Sequence, residues 1–89
     1  MTSETYLMDC RVCGLRQPTP PWGADGRAAS FDFCACCGVQ FGYQDATPAA
    51  TKKYREGWLA KGSPWFDSSA KPADWDISEQ MKKIPETFR

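Results

Sequence analysis

The sequence predicts a small α+β fold: a cysteine-built module of short strands with one or two helices packed behind it. Two Cys-x-x-Cys-Gly segments, Cys10-Arg11-Val12-Cys13-Gly14 and Cys34-Ala35-Cys36-Cys37-Gly38, define the module. Apolar and polar residues alternate around the second segment, the period of a half-buried strand. After Pro48 the apolar spacing changes to four, the period of a helix face.

Residues 1–9 form a lead-in, and Tyr6-Leu7-Met8-Asp9 is expected to enter the first cysteine turn as a short strand. Residues 10–44 hold the metal-binding module. Its middle, from Gln17 to Gly26, contains three prolines and two glycines, which exclude regular structure. Phe31-Asp32-Phe33 leads into the second turn as a strand, and Val39, Phe41 and Tyr43 alternate out of it.

Residues 45–89 read as a helical, aromatic-rich extension. Thr47 is a good N-cap, and Pro48 suits the first helical position. Ala50, Tyr54 and Trp58 then share one face. Gly62 is a natural left-handed stop, and Pro64 blocks continuation. A second helix is expected after Asp76, with Asp76 and Glu79 at capping-box spacing. Ile77, Met81 and Ile84 make its stripe, and Pro85 ends it.

The chain has 89 residues, which is one domain, 1–89. A chain this short buries only roughly 60–65% of its unfolded surface, so its core needs a staple. The N-terminal residues lack the basic and apolar regions of a signal peptide, and no apolar run is long enough for a membrane span. A cytoplasmic setting, where thiols stay reduced, is therefore expected. Five cysteines would also leave one over in a disulfide framework. Compartment and count both favour a metal.

The chemistry is that of four thiolates. Each Cys-x-x-Cys turn places two sulfurs on one side of an ion, and two turns close a tetrahedron. The trailing glycine lets the backbone turn tightly and aim N–H groups at the sulfurs. The ligands read from this pattern are Cys10, Cys13, Cys34 and Cys37. Cys36 occupies the penultimate turn position, where a side chain points away from the ion. It is either a packed bystander or a thiol able to exchange into the site or be oxidised. The turns resemble those of rubredoxin, which hold one iron for electron transfer, but Ala35 replaces the proline of that motif and Tyr6 stands offset before Cys10. Zinc is the expected metal and iron the alternative, so the module is expected to be a small zinc ribbon with rubredoxin-like turns and short β-strands.

The run from Cys10 through Pro20-Pro21-Trp22 to Phe31–Asp45 resembles the bacterial cysteine-rich CPCC family. Tyr54–Trp58, Gly62–Phe66 and Pro72–Asp76 are similar to it as well. Ala35 departs from the name-giving proline, which supplies no ligand. The resemblance implies a small bacterial metal-binding protein and no particular activity.

Lysine plus arginine and aspartate plus glutamate both number 11, and a divalent ion in four thiolates is dianionic. That balance argues against a nucleic-acid-binding ribbon. Lys52, Lys53 and Arg55 read as the solvated edge of the first helix, with Lys82 and Lys83 on the second. There is no histidine, no nucleophile with a recognisable partner and no glycine-rich phosphate loop, so no enzyme is expected. Four tryptophans supply either core or a binding face, with Trp22 and Trp65-Phe66 the candidates for exposure. The function expected is a structural-zinc protein that works through an unidentified protein partner, as an adaptor or regulatory accessory.

Overall fold

Two cysteine turns stacked sulfur to sulfur form the centre of the protein, and several segments after residue 44 close over them. The computed structural model describes residues 8–89. Among these, two helices are formed: α1, Pro48–Ala60, and α2, Ile77–Met81. Single 3-10 turns occupy Ser68–Ala70 and Glu86–Phe88.

The expected α+β zinc-ribbon, in which rubredoxin-like cysteine turns are joined by short β-strands, is corrected here. Among the described residues there is no strand and no sheet. Each cysteine turn makes one isolated antiparallel bridge, Asp9 with Arg16 and Phe33 with Gln40, and pairing stops there. The local cause differs at each turn. After the first, the proline rings at Pro18, Pro20 and Pro21 hold φ at about −65°, away from the roughly −140° of an antiparallel strand. Around the second, Phe31 (φ 64°) and Gly42 (φ 97°) adopt left-handed backbone conformations, which bend both arms away from extension. The alternation of Phe31 and Phe33 therefore marks no buried strand face, and both rings are exposed. The Tyr6 and Leu7 part of the expected first strand lies outside the described residues.

α1 follows its sequence signals closely. The Thr47 side chain accepts from Ala50 N–H at 3.1 Å, and Pro48 starts the helix. Gly62, at φ 91°, ends it, with Gly62 N–H donating to Leu59 O and Ser63 N–H to Trp58 O. The buried line of α1 is Thr51, Arg55 and Trp58, rotated from the expected Ala50–Tyr54–Trp58 stripe. Thr51 can be buried because its hydroxyl donates to Thr47 O at 2.7 Å. α2 is capped by Asp76, which accepts from Ser78 and Glu79 N–H. It has five residues, so Ile84 lies beyond it, yet Ile84 is still buried.

The core is sulfur-centred. All five cysteines are buried together with Val12, Val39, Phe41 and Trp58, and Leu15, Tyr54, Trp65, Trp75 and Ile77 pack against them. A core this small gains much of its apolar area from aromatic rings. No helix among the described residues is long and apolar enough to cross a membrane.

Candidate metal centre

The two cysteine turns are one hydrogen-bonded unit built twice. In the first, Cys10 N–H donates to Leu15 O, Gly14 N–H to Cys10 O, and Gln17 N–H to Met8 O. In the second, Cys34 N–H donates to Val39 O, Gly38 N–H to Cys34 O, and Phe41 N–H to Asp32 O. Gly14 (φ 85°) and Gly38 (φ 79°) take the left-handed conformation that reverses each chain. Glycine adopts it without the steric penalty of a Cβ.

The structure brings together the four cysteines expected as ligands. The Sγ atoms of Cys10, Cys13, Cys34 and Cys37 all lie within 4.8 Å of one another. Contacts cross between the turns: Cys10 to Cys37 is 3.7 Å, and Cys13 to Cys34 is 3.6 Å. A disulfide needs about 2.05 Å. Four sulfurs at about 2.3 Å from a shared ion stand about 3.8 Å apart, which matches both separations. Cys10, Cys13 and Cys34 are fully buried, and Cys37 is 6% exposed. The all-sulfur donor set suits zinc or iron and disfavours hard cations such as calcium or magnesium. A buried four-cysteine cluster that could hold one metal ion is thus present.

Cys36 stands outside this set. It is fully buried, and Gln80 Nε2 donates to its sulfur at 3.3 Å. The same amide nitrogen donates to Cys13 O at 3.2 Å, while Gln80 Oε1 accepts from Trp75 Nε1 at 2.9 Å. One glutamine of α2 therefore ties the fifth cysteine, the first turn and a core tryptophan together.

Other donors surround the sulfurs. Val12 N–H points at Cys10 Sγ at 3.4 Å, and Gln17 Nε2 at Cys34 Sγ at 3.5 Å. Such N–H groups offset thiolate charge. Burial pushes the Cys13 and Cys37 thiols up, whereas hydrogen bonds from Cys10, Cys13 and Cys37 hold Cys34 down. A cation bound here would displace the protons that the raised Cys13 and Cys37 thiols retain.

Arg55 is the residue whose role the sequence most conceals. Its guanidinium is buried, not on a solvated edge. Nε donates to Val12 O at 2.6 Å, and Nη2 to Arg11 O at 2.9 Å and to Phe88 O. Burial pushes it down from its usual value, and the cysteine sulfurs oppose that. An arginine remains charged under such a shift, so it contributes a cation beside the thiolates. Tyr54 supports the second turn, its hydroxyl donating to Cys37 O at 3.0 Å. Burial, with the cysteines adding to it, pushes that phenol up, which keeps it a donor.

The C-terminal segments cover both turns. Gly14 is crossed by the α2 backbone at Gln80, and Gly38 by the Phe66 ring. Phe66 and Asp67 N–H donate to Cys36 O and Ala35 O at 2.9 and 2.8 Å. On the far side, the Arg11 guanidinium lies between Trp22 and Phe88, 4.0 and 4.2 Å from their ring centres. Trp22 Nε1 donates to the buried Asp45 carboxylate at 2.9 Å. Of the aromatics expected at the surface, Phe66 is 64% exposed, while Trp22 and Trp65 are half-buried.

Comparisons with protein-family models, with curated proteins and with solved structures find no match. The resemblance to the CPCC family gains no support from them, and the residues alone carry the functional reading.

Proposed function

We propose that the chain is a small cytoplasmic protein that uses Cys10, Cys13, Cys34 and Cys37 to hold one structural zinc ion and works by binding another protein. The observation behind the metal is the closed, buried thiolate cluster. Four thiolates fill a tetrahedral sphere and leave no position for water or substrate, which is the pattern of structural sites. Arg55 and the N–H donors at the sulfurs would offset the dianionic centre. Such an ion contributes on the order of 10–16 kcal/mol to folding, enough to stabilise a core otherwise short of apolar area.

Support for action through a partner comes from the surface that the centre organises. Phe31, Phe33, Tyr43 and Phe66 are all more than half exposed. Phe33 and Phe66 stack with ring centres 5.7 Å apart and an interplanar angle of 11°. Exposed aromatics are enriched where proteins meet.

Elemental analysis of untagged protein tests the metal: one zinc per chain and no colour is expected. A red protein containing iron would replace the reading with one-electron transfer. Cross-linking in the native cell tests the second half, and recovery of no protein partner at all would remove it.

A further inference from the structure

α1 shows two faces to the rest of the protein. Thr51, Arg55 and Trp58 form its buried line. The more apolar stripe beside it, Ala50, Tyr54 and Trp58, is incompletely covered, with Ala50 and Tyr54 half-buried. Along this stripe, α1 and the Pro64–Phe66 segment leave a groove of about 630 Å³, within the range of ligand-sized sites.

Gly57 lies in the middle of the helical part of that lining. Glycine is among the least favourable residues for a helix interior. At Gly14 and Gly38, positive φ and close neighbours explain the glycine. At Gly57 neither holds, and an added Cβ would meet nothing within 4 Å. The fold gives no reason for this glycine, but an open groove does: the missing side chain keeps its centre clear.

The charge of the lining is one-sided. Lys53 and Lys61 both line the groove, and no carboxylate does. Among the described residues the one ion pair is Lys82 with Glu79, so neither groove lysine is paired. Lys61 caps the C-terminus of α1 eight residues after Lys53, which separates them by about 12 Å along the helix axis. The indole donors add a further asymmetry. Trp22, Trp58 and Trp75 donate to Asp45, Pro64 O and Gln80. Trp65 Nε1, in a residue that lines the groove, is buried without an acceptor.

We infer that this groove docks an extended acidic segment of a partner protein, with apolar or proline residues against Tyr54, Trp58 and Trp65 and a carboxylate at each of Lys53 and Lys61. An extended chain covers about 12 Å in four residues, so the segment reads acidic residue, three apolar residues, acidic residue. Its backbone carbonyls are free, unlike those inside a helix, and one can accept from Trp65 after a small ring movement. The inference rests on the protein-binding reading above and names the chemistry of the partner.

The test uses zinc-loaded, 15N-labelled protein and the indole N–H resonances. Probes are acetylated Glu-x-x-x-Glu amides, with x drawn from proline, leucine and phenylalanine, each beside its Gln-x-x-x-Gln counterpart. The Trp58 and Trp65 signals are expected to move while Trp22 stays. Affinity should fall at least tenfold for the glutamine peptides and for the Lys53→Glu/Lys61→Glu variant. Gly57→Leu should block binding with zinc content and the Trp22 signal unchanged. A stationary Trp65 signal at millimolar peptide, or equal binding of the two peptide sets, would overturn the inference. So would movement of the same signals on concentrating the free protein, which identifies a second copy as the occupant. Cross-linking in the native cell separates the two readings. Partners retained by the Lys53→Glu/Lys61→Glu variant remove the groove alone, and absence of partners from the wild type removes the protein-binding function with it.

Discussion

The carbonyl of Gln80 rests on the backbone of Gly14 so closely that a Cβ at residue 14 would fall well inside 3.0 Å of it. Gly14 is thus doubly constrained, by its own φ of 85° and by the helix that crosses it. Gly62 has a similar φ of 91° and nothing within 4 Å. Gly62→Ala should cost about 1–2 kcal/mol, the left-handed penalty alone. Gly14→Ala should cost roughly 3 kcal/mol or more, because α2 must also move. Denaturant unfolding of the zinc-loaded proteins measures both, and equal losses would show that the contact contributes nothing.

Cys36 and the four clustered cysteines should separate cleanly on substitution. Cys36→Ser keeps a group able to accept from Gln80 Nε2 and leaves the four-sulfur cluster whole. One metal per chain is expected, with stability lowered by about 1 kcal/mol. Serine at Cys10, Cys13, Cys34 or Cys37 should remove both the metal and the cooperative thermal transition. Metal analysis with circular dichroism reads both outcomes. A metal-free Cys36→Ser protein would place that sulfur in the coordination sphere.

Acid should unfold the protein through the metal. Burial raises the Cys13 and Cys37 thiols, so these two hold their protons at neutral pH in the metal-free protein. A bound cation displaces them and holds the sulfurs as thiolates, so their effective pKa in the loaded protein lies below that of the unfolded chain. The stability this supplies is present at neutral and alkaline pH and is lost as pH falls through the effective value. Zinc release and loss of near-ultraviolet dichroism should therefore coincide on acid titration, with release detected by a chelating dye. A fold that outlasts its zinc would show that the ion is not the staple.

The cysteine spacing makes the centre legible because a ligand pair within one turn is a local property. The ends of α1 are legible for the same reason, through Thr47, Pro48 and Gly62. The expected strands fail at Phe31, where alternation implies an inward face and the backbone instead turns left-handed. A two-residue period states which side chains could share a face but not whether a partner chain runs alongside. Arg55 is hidden for a related reason. Its acceptors, Arg11 O, Val12 O and Phe88 O, lie 33 to 44 residues away. Nothing around Lys52-Lys53-Tyr54-Arg55 distinguishes the buried cation from the two exposed ones.

That burial makes Arg55 hard to replace. Arg55→Lys keeps the charge but loses the planar fork that reaches three carbonyls at once. A loss of about 2–3 kcal/mol is expected. Arg55→Met should lose about 3–5 kcal/mol, since it leaves the carbonyls unpaired and removes the cation beside the thiolates. Denaturant midpoints of the two variants check the order, and a methionine variant as stable as the lysine variant would discount the charge.

The covers of both cysteine turns come from later in the chain, Phe66 for the second and Gln80 for the first, while the last clustered cysteine is residue 37. On a ribosome adding about 5–20 residues per second, Phe66 follows Cys37 by 29 residues, roughly 1.5–6 seconds, and Gln80 follows by 43, roughly 2–9 seconds. Until Phe66 is added all four thiols have been synthesised and neither lid has been completed, and until Gln80 is added the first turn stays uncovered. Metal capture can therefore precede closure within a single round of translation. A chain that meets no ion in those seconds must open the lids again to accept one.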